Sequence, residues 1–196
     1  MLVFSSQQLV FLAAPKTAST AIEQALGSLA TIAIGSPTAV KHTGAGPFKD
    51  HFNPYLTSIF GHTFMSVALV REPRDWLGSW YRNRQREDEE QATSTQSVSF
   101  EEFVSLACKS SPPDFARIGT QSAFLNPRPD AKVDHIFKYD QLERFLSFLE
   151  DRLGFDIVLP RLNVSPMADL HLSGKTEDLF RKTFASDFDL YGSTAS

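Results

Sequence analysis

The stretch Met65-Ser-Val-Ala-Leu-Val70, followed by Arg71-Glu-Pro-Arg-Asp75, decides the fold class of this chain. A largely apolar run of this length is typical of a central parallel strand that is covered on both faces. Pro73 suits the first turn of a helix, because its missing N–H is not needed there. The pattern therefore predicts a strand that ends at Val70 and a helix that begins within the next few residues.

The same order of strand, turn and helix occurs near the N-terminus. The run Gln8–Ala14 is short and apolar and stops at Pro15, which favours a buried strand. The polar loop Lys16–Thr20 follows, and the next residues place apolar side chains on one side of a helix. Those side chains are Ile22, Ala25, Leu26 and Leu29. Strands that alternate with helices predict an α/β domain with a mostly parallel sheet and helices on both faces.

Other segments predict the remaining elements. A strand is expected at Val133–Lys138 and a helix at Asp140–Leu153, which Gly154 ends. The segment Thr31–Lys41 is β-like in composition, and Gly44–Gly61 has the spacing of a short helix between loops. We find no repeat and no linker, so the sequence predicts one domain over residues 1–196.

Three local patterns complete the secondary-structure prediction. Ser99 and Glu102 have the spacing of a capping box at the start of a helix. The segment Glu177–Phe184 is predicted to be the last helix. Three arginines that precede the acidic run Glu87–Glu90 predict a solvated helix end; they are Arg82, Arg84 and Arg86. The alternative is that Arg82 or Arg84 reaches an acidic acceptor.

Composition excludes several classes of protein. A net charge of −4 argues against a broad nucleic-acid surface, and no apolar stretch reaches the ~18 residues of a membrane span. The N-terminus lacks the basic flank and long apolar run of a signal peptide. Cys108 is the only cysteine, which excludes an internal disulfide and a multi-cysteine zinc site. We therefore expect a cytoplasmic protein with no membrane span, no nucleic-acid partner and no metal site.

The loop Lys16-Thr-Ala-Ser-Thr20 is the first candidate for chemistry. Its ammonium and three hydroxyls would meet at a helix N-terminus, where N–H groups and the helix dipole attract anions. It lacks the Gly-x-x-x-x-Gly-Lys-Ser/Thr pattern of a Walker A loop. Capping of the helix by Thr17 or Ser19, with Lys16 in solvent, explains the same residues. Phosphate or sulfate binding and simple capping both stay open at this point.

Arg71 and Ser79 form the second candidate. Arg71 would lie at the carboxyl end of a central strand, where ligands bind in open α/β sheets. Ser79 lies about two turns into the following helix, and a guanidinium and a hydroxyl could bind one phosphate together. The alternative is that Arg71 pairs with Glu72 or Asp75 and that Ser79 is an ordinary helix residue.

With these two candidates, the chain resembles the sulfotransferases that use 3′-phosphoadenosine 5′-phosphosulfate (PAPS), and among them the carbohydrate-type enzymes and their bacterial relatives. Ala14–Thr20 is similar to that superfamily's loop for the 5′-phosphosulfate, and Val70–Tyr81 to its 3′-phosphate motif. Further similar segments follow in the same order: Gln121–Leu125, Val133–Leu142, Leu159–Asn163 and Phe184–Tyr191. The resemblance implies a three-layer, P-loop-like α/β domain with a central, mostly parallel sheet flanked by helices.

The resemblance also implies roles for single residues. The implied donor-binding residues are Lys16, Thr17, Ala18, Ser19, Thr20, Arg71 and Ser79. Lys16 would also stabilise charge on the leaving phosphate. The superfamily often has glycine at the position of Ala18, and alanine is small enough to keep the backbone close to the ligand.

The general base stays open among several residues. Related enzymes carry a Lys/His element after their second strand, which makes His42 the first choice and Lys41 a possible support. His62 is the second choice, since it lies just upstream of the predicted strand at residues 65–70. An imidazole, with a pKa near ~6.5, can accept a proton at physiological pH. Some relatives use a glutamate, and Glu23 is the acid nearest to the loop in sequence.

The function that follows from the resemblance is sulfuryl transfer from PAPS to a hydroxyl or amine of a carbohydrate or other small acceptor. The resemblance implies that this transfer requires no metal. A nucleotide or small-molecule kinase of P-loop-like fold is the alternative enzyme class. A module that binds a nucleotide or a sulfated sugar without turnover is the alternative outside enzymes.

Overall fold

The computed structural model describes residues 1–160 and 169–194. These residues form two compact units, of which the first contains residues 1–71, 121–160 and 194. The second unit contains residues 72–120 and 169–193. Of the segment Leu159–Asn163, whose resemblance was noted above, residues 161–163 lie outside the described residues.

The first unit is built on a mixed sheet of five strands in the order β3-β1-β2-β4-β5. The strands are β1 (Leu2–Phe4), β2 (Leu9–Phe11), β3 (Ile32–Ala33), β4 (Met65–Val70) and β5 (His135–Lys138). β4 runs parallel to both β2 and β5, whereas β1 pairs antiparallel with β2 and β3. The predicted α/β fold with a sheet flanked by helices is confirmed, and its parallel part is the centre β2-β4-β5.

The helices of the described residues follow in chain order. They are α1 (Ser19–Leu26), α2 (Thr38–Lys41), α3 (Ala45–Pro47), α4 (Asn53–Phe60), α5 (Pro73–Arg84), α6 (Phe100–Ala107), α7 (Gln121–Leu125), α8 (Leu142–Leu153), α9 (Gly174–Thr183) and α10 (Ala185–Ser193). A π-helix at Phe48–Phe52 joins α3 to α4, and short 3₁₀ turns lie at Asp114–Ala116 and Tyr139–Gln141.

Apolar residues of alternate strand positions form the core of the first unit. Phe11, Val67 and Leu69 lie on one face of the sheet and pack with residues of α1 and α8. Those helix residues are Ile22, Leu26, Phe145 and Leu149. The spacing of four residues puts each pair on one side of its helix. α8 ends where predicted, because Gly154 adopts the left-handed conformation with φ of 81°.

The second unit has its own aromatic core. Trp76 and Tyr81 of α5 pack with Phe100 and Phe103 of α6 and with Phe180 of α9.

Both predicted helix starts in this unit are confirmed. α5 begins at Pro73. Ser99 is the N-cap residue of α6, and its hydroxyl accepts a 3.2 Å hydrogen bond from the N–H of Glu102.

Three predictions about secondary structure or exposure were wrong. The segment Thr31–Lys41 is β-strand only at Ile32–Ala33 and turns into α2 after Pro37. The predicted last helix is followed by α10. Arg82 and Arg84 are buried rather than solvated. The reason at position 84 is a set of backbone carbonyl acceptors that satisfy the guanidinium.

Candidate active site

The loop between β2 and α1 adopts a strained, tightly held backbone. Lys16 and Ala18 both have positive φ angles, of 65° and 59°. The hydroxyl of Thr17, which is fully buried, donates a 2.9 Å hydrogen bond to the carbonyl of Ala14. Non-glycine residues rarely adopt the left-handed region, and such positions cluster at functional sites. The left-handed Ala18 also gives a physical reason for the glycine that the resembling enzymes often carry there.

The N-terminal end of α1 lies in this loop, and its N-cap residue cannot cap it with a side chain. Ala18 is the N-cap residue and supplies no side-chain hydrogen bond, and the first turn contains no acidic residue. The hydroxyl of Thr17 is directed to Ala14 instead of the helix. Thr17 is therefore not the cap of α1, and no carboxylate in the first turn offsets the positive end of the helix dipole.

Arg71 lies at the same edge of the sheet as this loop. β2 and β4 are parallel, so the residues that follow each strand lie at the carboxyl ends of neighbouring strands. Nη1 of Arg71 donates a 3.0 Å hydrogen bond to the carbonyl of Lys16. The guanidinium carbon also lies 4.5 Å from the centre of the ring of Tyr139, which follows β5. Sequence reasoning had not assigned a role to this tyrosine.

Gln121, the first residue of α7, binds both polar groups of the main chain of Arg71. Its Oε1 accepts a 2.8 Å hydrogen bond from the N–H of Arg71, and its Nε2 donates a 2.8 Å hydrogen bond to the carbonyl of Arg71. Only 4% of Gln121 is exposed. The sequence pointed to this segment through its resemblance to carbohydrate-type enzymes, but it gave no signal for this contact across fifty positions of the chain.

His42 lies beside the end of β2. Its Nδ1 is 2.6 Å from the carbonyl oxygen of Ala13. A carbonyl can only accept, so Nδ1 carries the proton and Nε2 of the neutral ring holds a lone pair. Burial lowers the pKa of His42 below its ordinary value, while the hydrogen bond to Ala13 partly opposes this shift. The neutral imidazole, able to accept a proton at Nε2, is therefore favoured near neutral pH.

Lys41 and Glu23 form an ion pair next to His42. Nζ of Lys41 lies 2.6 Å from Oε2 of Glu23, and both side chains are largely buried, with 16% and 13% exposed. Two of the residues that the sequence offered for acid–base chemistry thus bind each other.

His62 occupies a different place in the fold. It precedes β4 and therefore lies towards the amino end of that strand, whereas Arg71 and the loop after β2 lie at the carboxyl ends. Its ring centre is 4.9 Å from that of Phe64 and 6.2 Å from that of Phe60. Its Nε2 is buried without a hydrogen-bond partner among the residues that the structure describes. His62 is not brought together with Lys16.

Ser79 belongs to the second unit. It lies in α5 and is buried, with 7% of its surface exposed. Its predicted role toward a phosphate stays a prediction from sequence.

The described residues contain neither a metal-binding group nor a membrane-spanning helix. No group of three or more His, Cys, Asp or Glu side chains within residues 1–160 and 169–194 is placed to hold a metal ion. None of the helices in that part of the chain has the length and apolarity needed to cross a membrane.

Comparison with known proteins adds the family. A family model described as "Sulfotransferase family" matches residues 1–191. A search of curated proteins finds no match. The matched range includes the loop after β2, His42 and Arg71, so it covers every residue of the site described above. Since the match extends over almost the entire sequence, the chain belongs to the sulfotransferase family.

Proposed function

We propose that this protein transfers a sulfuryl group from PAPS to a hydroxyl or amine of a carbohydrate or other small acceptor. Its family supports sulfuryl transfer in general, and the family generally uses PAPS as donor. One observation carries the proposal: Nδ1 of His42 is bound to the carbonyl of Ala13, directly before the loop that contains Lys16. A proton acceptor and a cation are thus associated with the same strand end.

His42 is the general base in this proposal. The hydrogen bond at Nδ1 fixes the tautomer, and the lowered pKa keeps the ring neutral, so Nε2 can take the acceptor's proton. As that proton moves to Nε2, the acceptor oxygen or nitrogen forms a bond to sulfur. The bond from sulfur to the 5′-phosphate oxygen breaks, and its electron pair stays on the leaving adenosine 3′,5′-bisphosphate.

The loop after β2 binds the 5′ side of the donor. The ammonium of Lys16 and the N-terminus of α1, whose first turn contains no acidic residue, are suited to stabilise the negative charge that builds on the leaving phosphate. Ala18 lets the backbone approach the ligand closely, and the other proposed contacts of the loop come from Thr17, Ser19 and Thr20.

Arg71 binds the 3′-phosphate. A guanidinium carries five N–H donors, so it can bind a phosphate and keep its hydrogen bond to the carbonyl of Lys16. Ser79 remains a proposed partner of the 3′-phosphate on the basis of sequence resemblance. The cytoplasmic location expected from the sequence is likewise part of the proposal.

Calorimetry with two nucleotides tests the choice of donor. We expect adenosine 3′,5′-bisphosphate to bind at least about tenfold more tightly than ATP, because the proposed site binds a 3′-phosphate that ATP lacks. A tenfold difference in affinity corresponds to about 1.4 kcal/mol. The matched variant Arg71→Ala should lose most of that preference. A preference for ATP would favour a kinase and overturn the proposal, as would equal affinity of the wild type for both nucleotides.

A further inference from the structure

We propose that Gln121 is a positioning residue that fixes Arg71 for recognition of the 3′-phosphate. This inference rests on the proposed function, since it assumes that Arg71 binds the donor. The effect of Gln121 on the donor would pass through Arg71, to whose main chain it is hydrogen-bonded.

The geometry around Arg71 is the first support. The last paired residue of β4 is Val70, which lies opposite Lys138 of β5. Beyond that point the amide of Gln121 takes the place of a strand partner, with one 2.8 Å bond to the N–H of Arg71 and one to its carbonyl. One buried side chain thus binds both the N–H and the carbonyl of Arg71.

The chemistry of the amide is the second support. A glutamine side chain has a donor and an acceptor on the same planar group, and the partners here decide which atom is which. The amide cannot rotate without breaking both bonds, and an unpaired amide at 4% exposure would be costly. Methionine matches the length of glutamine but supplies neither bond, and glutamate supplies the acceptor only.

The contacts of the guanidinium are the third support. The side chain of Arg71 reaches the carbonyl of Lys16 and lies over the ring of Tyr139. A displaced main chain at Arg71 would therefore move the guanidinium away from the position that these two contacts define. Holding such a group in its binding position before the ligand arrives reduces the ordering that binding must supply. We infer that Gln121 contributes to affinity through the 3′-phosphate rather than through the adenosine or the 5′-phosphate.

The test compares two nucleotides that differ only in the 3′-phosphate. Calorimetry of the full chain with adenosine 3′,5′-bisphosphate and with adenosine 5′-monophosphate gives a preference ratio for each variant. We expect Gln121→Met to weaken the bisphosphate by about tenfold, the loss of a buried hydrogen-bonded contact, and to leave the monophosphate within about twofold. Gln121→Glu should lie between wild type and Gln121→Met. Gln91→Met, the same change at an exposed loop position, is the matched control.

Each outcome separates the two proposals. An unchanged ratio in a variant that circular dichroism shows to be folded overturns the role of Gln121, and so does an equal loss for both nucleotides, which indicates a purely structural role. If Gln121→Met does not fold, Gln121→Glu carries the test by the same criteria. A wild-type protein without any preference for the 3′-phosphate overturns the proposed function and this inference with it. A wild-type preference that survives in the variants overturns this inference alone.

Discussion

His42 owes its proposed chemistry to two features of its surroundings. The carbonyl of Ala13 fixes the proton on Nδ1, and burial lowers the pKa of the ring. The hydrogen bond selects the nitrogen that carries the proton, although it partly opposes the lowered pKa, and burial favours the neutral ring; Nε2 then holds the lone pair. A histidine in solvent would have neither constraint, so it would remain protonated up to a higher pH.

The pH dependence of turnover tests this reading of His42. Because its pKa is lowered, kcat/KM should stay on its plateau as the pH falls to the ordinary histidine range near ~6.5 and decline only below it. His42→Gln should lower kcat/KM by about 10²–10⁴, the usual contribution of a general base. His51→Gln, at an exposed position, is the control and should match wild type. A variant of His42 with wild-type activity and an unchanged acidic limb would rule out His42 as the base.

Single residues also show where sequence reasoning reached its limit. Lys16 and Arg71 were predicted from strand–turn–helix patterns, and the structure joins them through one hydrogen bond. The contacts of Gln121 and Tyr139 with Arg71 could not be predicted, because they depend on how segments distant in the chain pack together. The ion pair between Lys41 and Glu23 beside His42 could not be predicted for the same reason.

At the scale of elements, predictions succeeded where a strong local signal existed. β4 and the start of α5 follow from an apolar run and a proline, and the end of α8 follows from Gly154. β1 was missed because three residues are too short for a periodic pattern. α2 was missed because β-branched residues suggested a strand, although a helix of four residues begins after Pro37.

A carboxylate joins two helices of the second unit. Glu101 of α6 accepts hydrogen bonds from the hydroxyls of Ser173 and Thr176, at 2.5 and 2.8 Å, at the start of α9. Its second oxygen accepts from the N–H of Ser173 at 3.1 Å. These bonds lower the pKa of Glu101, and the bond from the Ser173 hydroxyl has the largest effect. The charged carboxylate is therefore favoured by folding.

Urea denaturation at several pH values tests this link. The stabilisation by Glu101 should be complete above the ordinary pKa of glutamate and should disappear as the pH falls through the lowered pKa of the folded state. Glu101→Gln should thus lower the free energy of unfolding at pH 7 and lower it by less near pH 3. Glu90→Gln, in an exposed loop, should change little at either pH. A difference between wild type and Glu101→Gln that does not shrink with acid would contradict the assignment.

For the whole molecule, a net charge of −4 coexists with a proposed site for a polyanionic donor. The positive charge of the proposed site is local, since Lys16, Arg71 and the N-terminus of α1 would supply it. The overall acidity argues against a long sulfated polymer as acceptor, because such a polymer would be repelled by the remaining surface. A small, neutral acceptor is the better match.

The most direct test of the central claim is transfer of radiolabelled sulfate from PAPS across a panel of sugar, lipid and small alcohol acceptors. We predict that the wild-type protein labels at least one acceptor and that Lys16→Ala lowers the rate by about 10²–10³, as expected for loss of a preorganised charge-stabilising group. Lys49→Ala, at an exposed position, should label the acceptor at the wild-type rate. Undiminished transfer by Lys16→Ala, or no transfer by a wild-type protein that binds adenosine 3′,5′-bisphosphate, would contradict the account.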